Sequence, residues 1–330
     1  MTPKISVIVP IFNREKYIES CVCSLLGQTM QEIEYIFIDD ASTDKSLYIL
    51  NNILKSFPQR ETYTKIIHLT KNGGVSNARQ VGLLNATGEY VIHADSDDWV
   101  DNNMYEELYT KAIDTKADIV GCNFVHEYSN THYIHYQEYS ESKENNIRQL
   151  LRGTIHPSLC TSLARMSIIK DNDITFPIGC NMGEDLLFNL KLFVHSNIFS
   201  FINIAPYHYR HTEDSSSFHI STDSIFSGIK IAEMIESYMR ANNIYDYYSH
   251  DIEYRKFSMK SSLVWDISNS EKYKLWLKIF PETHKLIWSF KQINWKLRLE
   301  LWLASHHMYY IARSIRKLLI WQHKARSFKF

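Results

Sequence analysis

The sequence of 330 residues is poor in glycine and proline, with 10 and 7 residues, and these form no linker, repeat or low-complexity tract. It also lacks any apolar run of about eighteen residues, so we expect no membrane-spanning helix. The first apolar run, residues 5–9, is too short for a secretory signal sequence. These absences favour folded domains without a membrane span.

Cysteine is scarce too, and its pattern excludes two kinds of site. The five cysteines are an odd number, and they show neither a CxxC pair nor the Cys/His spacing of a zinc site. We therefore expect reduced, mostly buried thiols, which favours the cytoplasm. The fifteen histidines form no HExxH spacing, and no GxSxG motif supports Ser-His-Asp catalysis.

The net charge gives no support for nucleic-acid binding, because it is only −1 at pH 7. Its distribution is uneven, however. The last forty residues hold nine Lys or Arg and one acid, Glu300, a net charge of +8, whereas the rest of the chain carries −9. This asymmetry predicts an anionic partner for the C-terminal segment.

Apolar residues in the same basic segment recur near helical spacing. They are Trp295, Leu299, Trp302, Tyr310, Ile311, Leu318 and Trp321. The combination predicts an amphipathic helix on an anionic membrane surface, at the inner face of the cell membrane. A helix that simply docks on the rest of the chain is the alternative.

Strand and helix patterns alternate over the first hundred residues. The predicted strands are short apolar runs at residues 5–9, 33–38, 65–69 and 90–94. Apolar residues at helical spacing separate them, near residues 18–26, 47–54 and 75–85. Asn13 and Ser42 are the expected N-caps of the first two helices. The series predicts an α/β fold with a mainly parallel sheet flanked by helices.

The rest of the chain is less regular. Residues 118–124 predict another strand, residues 126–144 a loop or hairpin, and residues 186–193 a helix. From about residue 224 onward the pattern is helical. We therefore expect an α/β domain over residues 1–220 and a helical C-terminal region over residues 221–330.

Two predicted strands end in carboxylates, at Asp39-Asp40 and at Asp95-Ser96-Asp97-Asp98. In parallel sheets, ligands bind beyond the carboxyl ends of the strands. Close carboxylates repel unless a cation lies between them, and Mg²⁺ or Mn²⁺ needs only one or two of them plus substrate phosphates. A solvated acidic turn is the alternative for the second cluster, and an Asx turn for the first.

Two further motifs stand at helix starts. Asn72-Gly73-Gly74 precedes a helix that carries Ser76 and Arg79 on one face, so backbone N–H groups there could face phosphate. A tight turn with a surface arginine is the alternative, and neither GxGxxG nor GxxxxGK[ST] is present. In Gly183-Glu184-Asp185, the two acids are either partners of the helix dipole or include a general base. The residues alone do not distinguish these interpretations.

Taken in order, these pieces resemble family 2 glycosyltransferases with the GT-A fold, of the kind that build bacterial capsule or lipopolysaccharide. The matching segments are residues 5–13, 24–29, 38–44, 72–79, 88–90, 95–99 and 183–185. The resemblance implies that Pro10 and Phe12 line the base pocket, that Asp40 binds the base, and that Asp39 supports it. It also implies that Arg79 helps to hold the nucleotide.

The resemblance assigns the chemistry to three acids. Asp95 would reach the ribose or the metal, Asp97 would bind the Mn²⁺ or Mg²⁺ that holds the diphosphate, and Asp185 would be the catalytic base. The implied reaction is an inverting transfer from a nucleotide-diphosphate sugar, expected to be a UDP-sugar, to a hydroxyl of a glycan or lipid-linked glycan. A sugar nucleotidyltransferase and a non-catalytic sugar-binding module are the alternatives.

The sequence departs from the family pattern at some positions. Ala41 stands where relatives often have Gly, and no Lys occurs near residues 161–163. Residues 207–211 followed by Ser215–Ser217 resemble the family's flexible segment. Whether His208 or His211 contacts the diphosphate stays open.

Overall fold

The computed structural model describes residues 3–180, 182–212, 221–264, 270–291 and 293–316. The chain divides into two compact units, residues 1–220 and residues 221–330. The first unit contains a nine-stranded sheet and the helices that flank it. The described part of the second unit is helical. The prediction of an α/β fold with a helical C-terminal region is confirmed.

The sheet is mostly parallel. Its strands are β1 (Ile5–Ile11), β2 (Ile33–Asp39), β3 (Thr64–His68), β4 (Tyr90–His93), β5 (Trp99–Val100), β6 (Ile119–Glu127), β7 (His132–His135), β8 (Ser162–Arg165) and β9 (Phe199–Arg210). The spatial order is β3-β2-β1-β4-β8-β6-β9-β5, with β7 paired to β6. Strand β8 is antiparallel to both β4 and β6, and β6 is parallel to β9. The carboxyl ends of β1, β2, β4, β6 and β9 therefore lie at one edge.

Seven α-helices flank the sheet in the described residues of the first unit. They are α1 (Ile18–Leu26), α2 (Ser46–Leu54), α3 (Val75–Asn85), α4 (Met104–Thr115), α5 (Lys143–Arg152), α6 (Met166–Asp171) and α7 (Glu184–His195). Strands β1, β2 and β4 are buried almost throughout, as expected for parallel strands covered on both faces. Helix α3 packs closely because Gly82 has no Cβ, which would lie 2.4 Å from Cγ2 of Ile8.

The two predicted N-caps are wrong. Helix α1 begins at Ile18, and the Asn13 side chain instead accepts a hydrogen bond from the Thr43 backbone N–H at 2.8 Å. Helix α2 begins at Ser46, and the Ser42 hydroxyl accepts from the Asn13 N–H at 3.1 Å. Both polar side chains therefore bind the neighbouring loop rather than a helix end, and they tie the loops after β1 and β2 together.

Other local predictions have mixed outcomes. The region after β6 is a hairpin, because β7 pairs antiparallel with β6. The prediction of a flexible segment is wrong for residues 207–210, because they form the end of strand β9 and pair with β5 or β6. Ser215–Ser217 lie outside the described residues. All five cysteines are free and only Cys23 is exposed, so the prediction for the thiols is confirmed.

The described residues of the second unit form helices around an apolar core of their own. They are α8 (Thr222–Ala241), α9 (Tyr245–Ser261), α10 (Ser270–Lys278) and α11 (Trp295–Ser305). Its core includes Phe257, Trp276 and Leu301, and the buried Lys260 ammonium donates to the carbonyls of Ile279 and Phe280. No helix in the described parts of the chain is long and apolar enough to cross a bilayer.

The prediction of a single amphipathic helix through the basic segment is wrong. Helix α11 ends at Ser305, a turn follows at residues 306–308, and a separate helical stretch covers residues 309–316. Trp302 packs against the core of the unit, whereas Trp295 and Tyr310 are exposed. The predicted row of apolar residues is therefore interrupted, and two of them, Leu318 and Trp321, lie outside the described residues.

Candidate active site

A cavity of about 640 Å³ opens at the edge of the sheet where β1, β2, β4, β6 and β9 end. Seven of the eight site residues predicted from the sequence line it. They are Pro10, Phe12, Asp40, Arg79, Asp95, Asp97 and Asp185. The eighth, Asp39, is buried at the end of β2 behind this surface. Strand topology thus brings together residues that are up to 175 positions apart.

One side of the cavity is formed by the loops after β1 and β2. Pro10 is near the end of β1, and Phe12 follows that strand with 40% of its surface exposed. The Asp40 carboxylate accepts hydrogen bonds from the backbone N–H groups of Gly73 and Gly74, each at 2.8 Å. These two N–H groups are therefore bound to Asp40, which corrects the expectation that they would face a phosphate.

Asp39 supports this side from beneath. Its Oδ1 accepts from the Ser42 N–H at 3.0 Å, and its Oδ2 lies 3.5 Å from Nδ1 of His68. Between the two acids and Ser42, Ala41 has φ of 61°. That left-handed conformation favours glycine, which explains why an Ala here is a departure that carries some backbone strain.

The acidic cluster after β4 lies on the floor of the cavity. Asp95 is ion-paired with Nη2 of Arg79 at 2.8 Å, and Asp97 with Nε of Arg14 at 3.2 Å. Burial and the neighbouring Asp95 raise the pKa of Asp97, and Arg14 opposes that rise. The sequence did not single out Arg14, because a lone arginine in a loop has no distinguishing pattern.

Asp98 completes the cluster as a buried residue. It accepts hydrogen bonds from the Tyr207 hydroxyl and from the Arg210 N–H, both on β9. Burial and the adjacent Asp97 and Asp95 raise the pKa of Asp98 well above its ordinary value. Asp98 thereby attaches the acidic loop to β9 and holds Asp95 and Asp97 toward the cavity.

Arg79 is an internal residue and not the surface arginine of the alternative. It is 6% exposed, and its guanidinium bridges Asp95 and Glu184, with Nη1 at 2.8 Å from Oε1 of Glu184. The bridge links helix α3 to the loop after β4 and to the start of α7. Arg79 therefore contributes one positive charge to the cavity wall, already shared by two carboxylates.

The two adjacent acids at the start of α7 differ sharply. Glu184 is buried and paired with Arg79. Asp185 faces the cavity, accepts only the Leu186 N–H at 2.7 Å, and has no cation within ion-pair distance among the described residues. Burial, and then the charge of Glu184, raise the pKa of Asp185 to about 7. The arrangement leaves Asp185 as the carboxylate able to exchange a proton near neutral pH.

Of the opposite side, which we call the ring wall, sequence reasoning named only His211, as an open candidate for a diphosphate contact. The ring wall consists of Phe124, His126, His156, Tyr209 and His211. The His126 and His211 rings stack with centroids 4.9 Å apart, and their Nδ1 and Nε2 atoms lie at 2.6 Å. The alternation of rings at positions 124 and 126 and at 209 and 211 was the available signal, but only the β6–β9 pairing brings the two pairs together.

The acidic cluster is suited to a divalent cation. No group of three or more His, Cys, Asp or Glu side chains that could hold a metal occurs in the described parts of the chain. Mg²⁺ and Mn²⁺ sites of nucleotide enzymes use one or two carboxylates and complete the shell with phosphates and water. Asp95 and Asp97, two hard oxygen donors on one cavity, fit that donor set.

Comparison with known proteins gives a consistent result. The model of the family described as Glycosyl transferase family 2 matches residues 6–172. EpsH of Bacillus subtilis, described as a glycosyltransferase, is 28% identical over 76% of this chain and 74% of its own length. The poly(ribitol-phosphate) β-N-acetylglucosaminyltransferase TarS of Staphylococcus aureus is 29% identical over 69% of this chain, and that match covers 39% of TarS.

The fold agrees with a solved structure of TarS. Its fragment 1–349 superposes with a TM-score of 0.70 at 25% identity, covering 95% of this chain and 90% of the fragment. The same fragment has been solved in complex with UDP-GlcNAc, with a TM-score of 0.68 and 24% identity over the same shares. The GT-A architecture expected from the sequence is confirmed.

Proposed function

The chain belongs to glycosyl transferase family 2, and from that premise we propose that it transfers a sugar from a UDP-sugar to an acceptor hydroxyl with inversion of configuration. The observation that carries this proposal is Asp185. It is a cavity carboxylate without a cationic partner in the described structure, beside a Glu184 whose charge is held by Arg79. That contrast distinguishes a proton acceptor from a structural acid.

The donor nucleotide is assigned to the side formed by the loops after β1 and β2. Phe12 offers a half-exposed ring for stacking on the base, with Pro10 beside it. Asp40 retains acceptor capacity for a base N–H, because a carboxylate offers about four lone-pair sites and two are used by the glycine N–H groups. Asp39 and Arg79 hold the surrounding loops, and the UDP-GlcNAc complex of the TarS fragment supports a UDP-sugar donor.

The reaction follows from one base and one leaving group. Asp185 takes the proton from the acceptor hydroxyl as its oxygen bonds to the anomeric carbon. The bond from that carbon to the diphosphate oxygen breaks on the opposite face, which inverts the configuration. Positioning both substrates in one cavity supplies much of the remaining acceleration.

We assign Mn²⁺ or Mg²⁺ to Asp97, with Asp95 near. Such an ion supplies positive charge to the departing diphosphate, so that no separate acid is needed. Arg14 competes with it for Asp97, because its Nε lies 3.2 Å from that carboxylate. An ion held by Asp97 would take over the role that Arg14 has there, since both groups supply positive charge to the same carboxylate.

The acceptor is assigned to a growing or lipid-linked glycan of a bacterial surface polysaccharide, at the cytoplasmic face of the membrane. The exposed Trp295, Tyr310 and Ile311 among basic residues support a peripheral contact with anionic lipid. Trp295→Ser should reduce co-sedimentation with phosphatidylglycerol vesicles, while vesicles of phosphatidylcholine alone bind neither form. Equal binding by both forms would favour the docking helix.

A donor screen tests the function. UDP- and GDP-sugars are incubated with the protein in Mn²⁺, in Mg²⁺ and in excess chelator, and the released nucleotide is identified. Release of UDP that requires metal and falls in Asp97→Asn supports the proposal. Pyrophosphate release in a parallel reaction with UTP and a sugar 1-phosphate would favour the nucleotidyltransferase, and UDP binding without any release would favour a non-catalytic module.

A further inference from the structure

The ring wall and the proposed nucleotide side lie on different strands of the same sheet edge. Between β1 and β6 in the sheet stand β4 and β8. Adjacent strands are about 4.8 Å apart, so the two sides are separated by roughly 14 Å at the sheet. The acidic cluster follows β4, between them. A donor whose base lies at Phe12 and whose diphosphate lies at Asp97 therefore leaves the ring wall to another ligand.

The ring wall differs chemically from the rest of the cavity. The charged residues that line the cavity are Arg14, Asp40, Arg79, Asp95, Asp97, Glu184 and Asp185, and none of them belongs to the wall. Burial, helped by the nearby His211 and His135, lowers the pKa of His126 to about 4. Burial also lowers the pKa of His211. The imidazoles of His126 and His211 are therefore neutral at physiological pH.

The stacked rings continue from the cavity toward solvent. The Tyr128 ring lies parallel to His211 with centroids 4.1 Å apart, and Tyr133 stacks on His126 at 4.5 Å. Tyr128 and Tyr133 are 37% and 50% exposed. The surface is long enough for a ligand that extends beyond one ring.

We propose that the ring wall is the acceptor subsite and that it takes a neutral saccharide of more than one unit, which lies against the ring edges that line the cavity and against the partly exposed Tyr128 and Tyr133. This assignment rests on the proposed function, because the acceptor must share the cavity with Asp185. Sugars present an apolar face and uncharged hydroxyls, which match an uncharged aromatic surface.

A phosphate-bearing acceptor fits the same surface poorly. Phosphate recognition relies on Arg or Lys, or on helix N-termini with open N–H groups. The two arginines that line the cavity are paired with Asp95, Asp97 and Glu184, away from the ring wall. A binding site of neutral rings thus selects against an anion.

Saturation-transfer NMR on the full chain with UDP present tests the assignment. The probes are cellobiose, lactose and chitobiose, with ribitol 5-phosphate as the anionic comparison. At least one disaccharide should show saturation of its ring protons, reduced about fivefold or more in His211→Ala. Tyr128→Ser, at the exposed rim, should give a smaller reduction and guards against misfolding of the first variant.

His135→Ala is the matched control. His135 belongs to the same cluster, with its ring 5.6 Å from His126, but it does not line the cavity. The disaccharide signal should persist in this variant. The assignment is overturned if no disaccharide gives a signal, if the signal survives in His211→Ala, or if only ribitol 5-phosphate binds. Absence of a UDP signal would instead count against the proposed function, so the two failures are distinguishable.

Discussion

The two sides of the cavity differ in how much charge their side chains carry. On the side of Asp40, Arg79 and the acidic cluster, charges are abundant and nearly every one is matched by a countercharge or by backbone N–H groups. On the ring wall no Asp, Glu, Lys or Arg lines the cavity, and the imidazoles of His126 and His211 are held neutral. The comparison shows that Asp185 stands out because its charge lacks the compensation that its neighbours have.

The largest effect is expected from the substitution that removes the Asp185 carboxylate. Asp185→Asn should lower turnover by about a hundredfold or more, because a positioned general base contributes that much. UDP affinity should change little, since the nucleotide is assigned to other residues. Transfer rate and UDP binding are measured for the same preparations.

Glu184→Gln is the matched comparison for Asp185→Asn. Because Glu184 is paired with the buried Arg79, its loss should lower the melting temperature more than it lowers turnover of the folded protein. A Glu184→Gln variant that binds UDP but transfers nothing, beside an active Asp185→Asn variant, would move the base to Glu184.

The next effect is a pH profile. Because the pKa of Asp185 is about 7, kcat/KM should fall about tenfold for each pH unit below that value, as the base becomes protonated. The stability contribution runs the other way. The pKa of Asp185 is higher in the folded than in the unfolded protein, so its protonated form stabilises the fold. This contribution is complete below the pKa of an unfolded Asp and is lost as the pH rises through 7.

Melting temperatures measured from pH 5 to pH 8 check the second part. The wild type should lose stability across this range relative to Asp185→Asn, while its activity rises. Parallel curves for the two proteins would show that Asp185 does not titrate there.

A smaller effect is expected at Asp40. Asp40→Asn keeps the shape but loses one of the two oxygens that hold Gly73 and Gly74. UDP should bind about tenfold more weakly, equivalent to one charge-assisted hydrogen bond of about 1.4 kcal/mol. Titration calorimetry measures this, with Glu89→Gln, a carboxylate that does not line the cavity, as the control.

The smallest effect compares the two sides directly. Raising the salt concentration should weaken UDP binding several-fold, because diphosphate and metal are charged and screened at higher ionic strength. Disaccharide binding to the ring wall should be insensitive to salt. Equal salt dependence of both ligands would show that the two sides do not differ as described.

The two sides of the cavity also differ in how far the sequence could predict them. Helix α3 was expected at its observed bounds, and the acids at residues 39–40 and 95–97 were expected at one sheet edge, because each pair follows a local strand signal. Asp185 was expected beside them only from the family resemblance. The caps at Asn13 and Ser42 failed because the partner loop lies about 30 residues away. The ring wall depends on His126 and His211, which are 85 residues apart and meet only through strand pairing.

The tie between the loops after β1 and β2 has a consequence for the energetics of recognition. Those loops carry Phe12 and Asp40, and mutual hydrogen bonds of Asn13, Ser42 and Thr43 fix them in the protein without ligand. Ordering a free loop costs about 1–2 kcal/mol of conformational entropy per residue. Since that ordering accompanies folding rather than association, a nucleoside meets a preorganised slot, and its rigidity limits which bases fit.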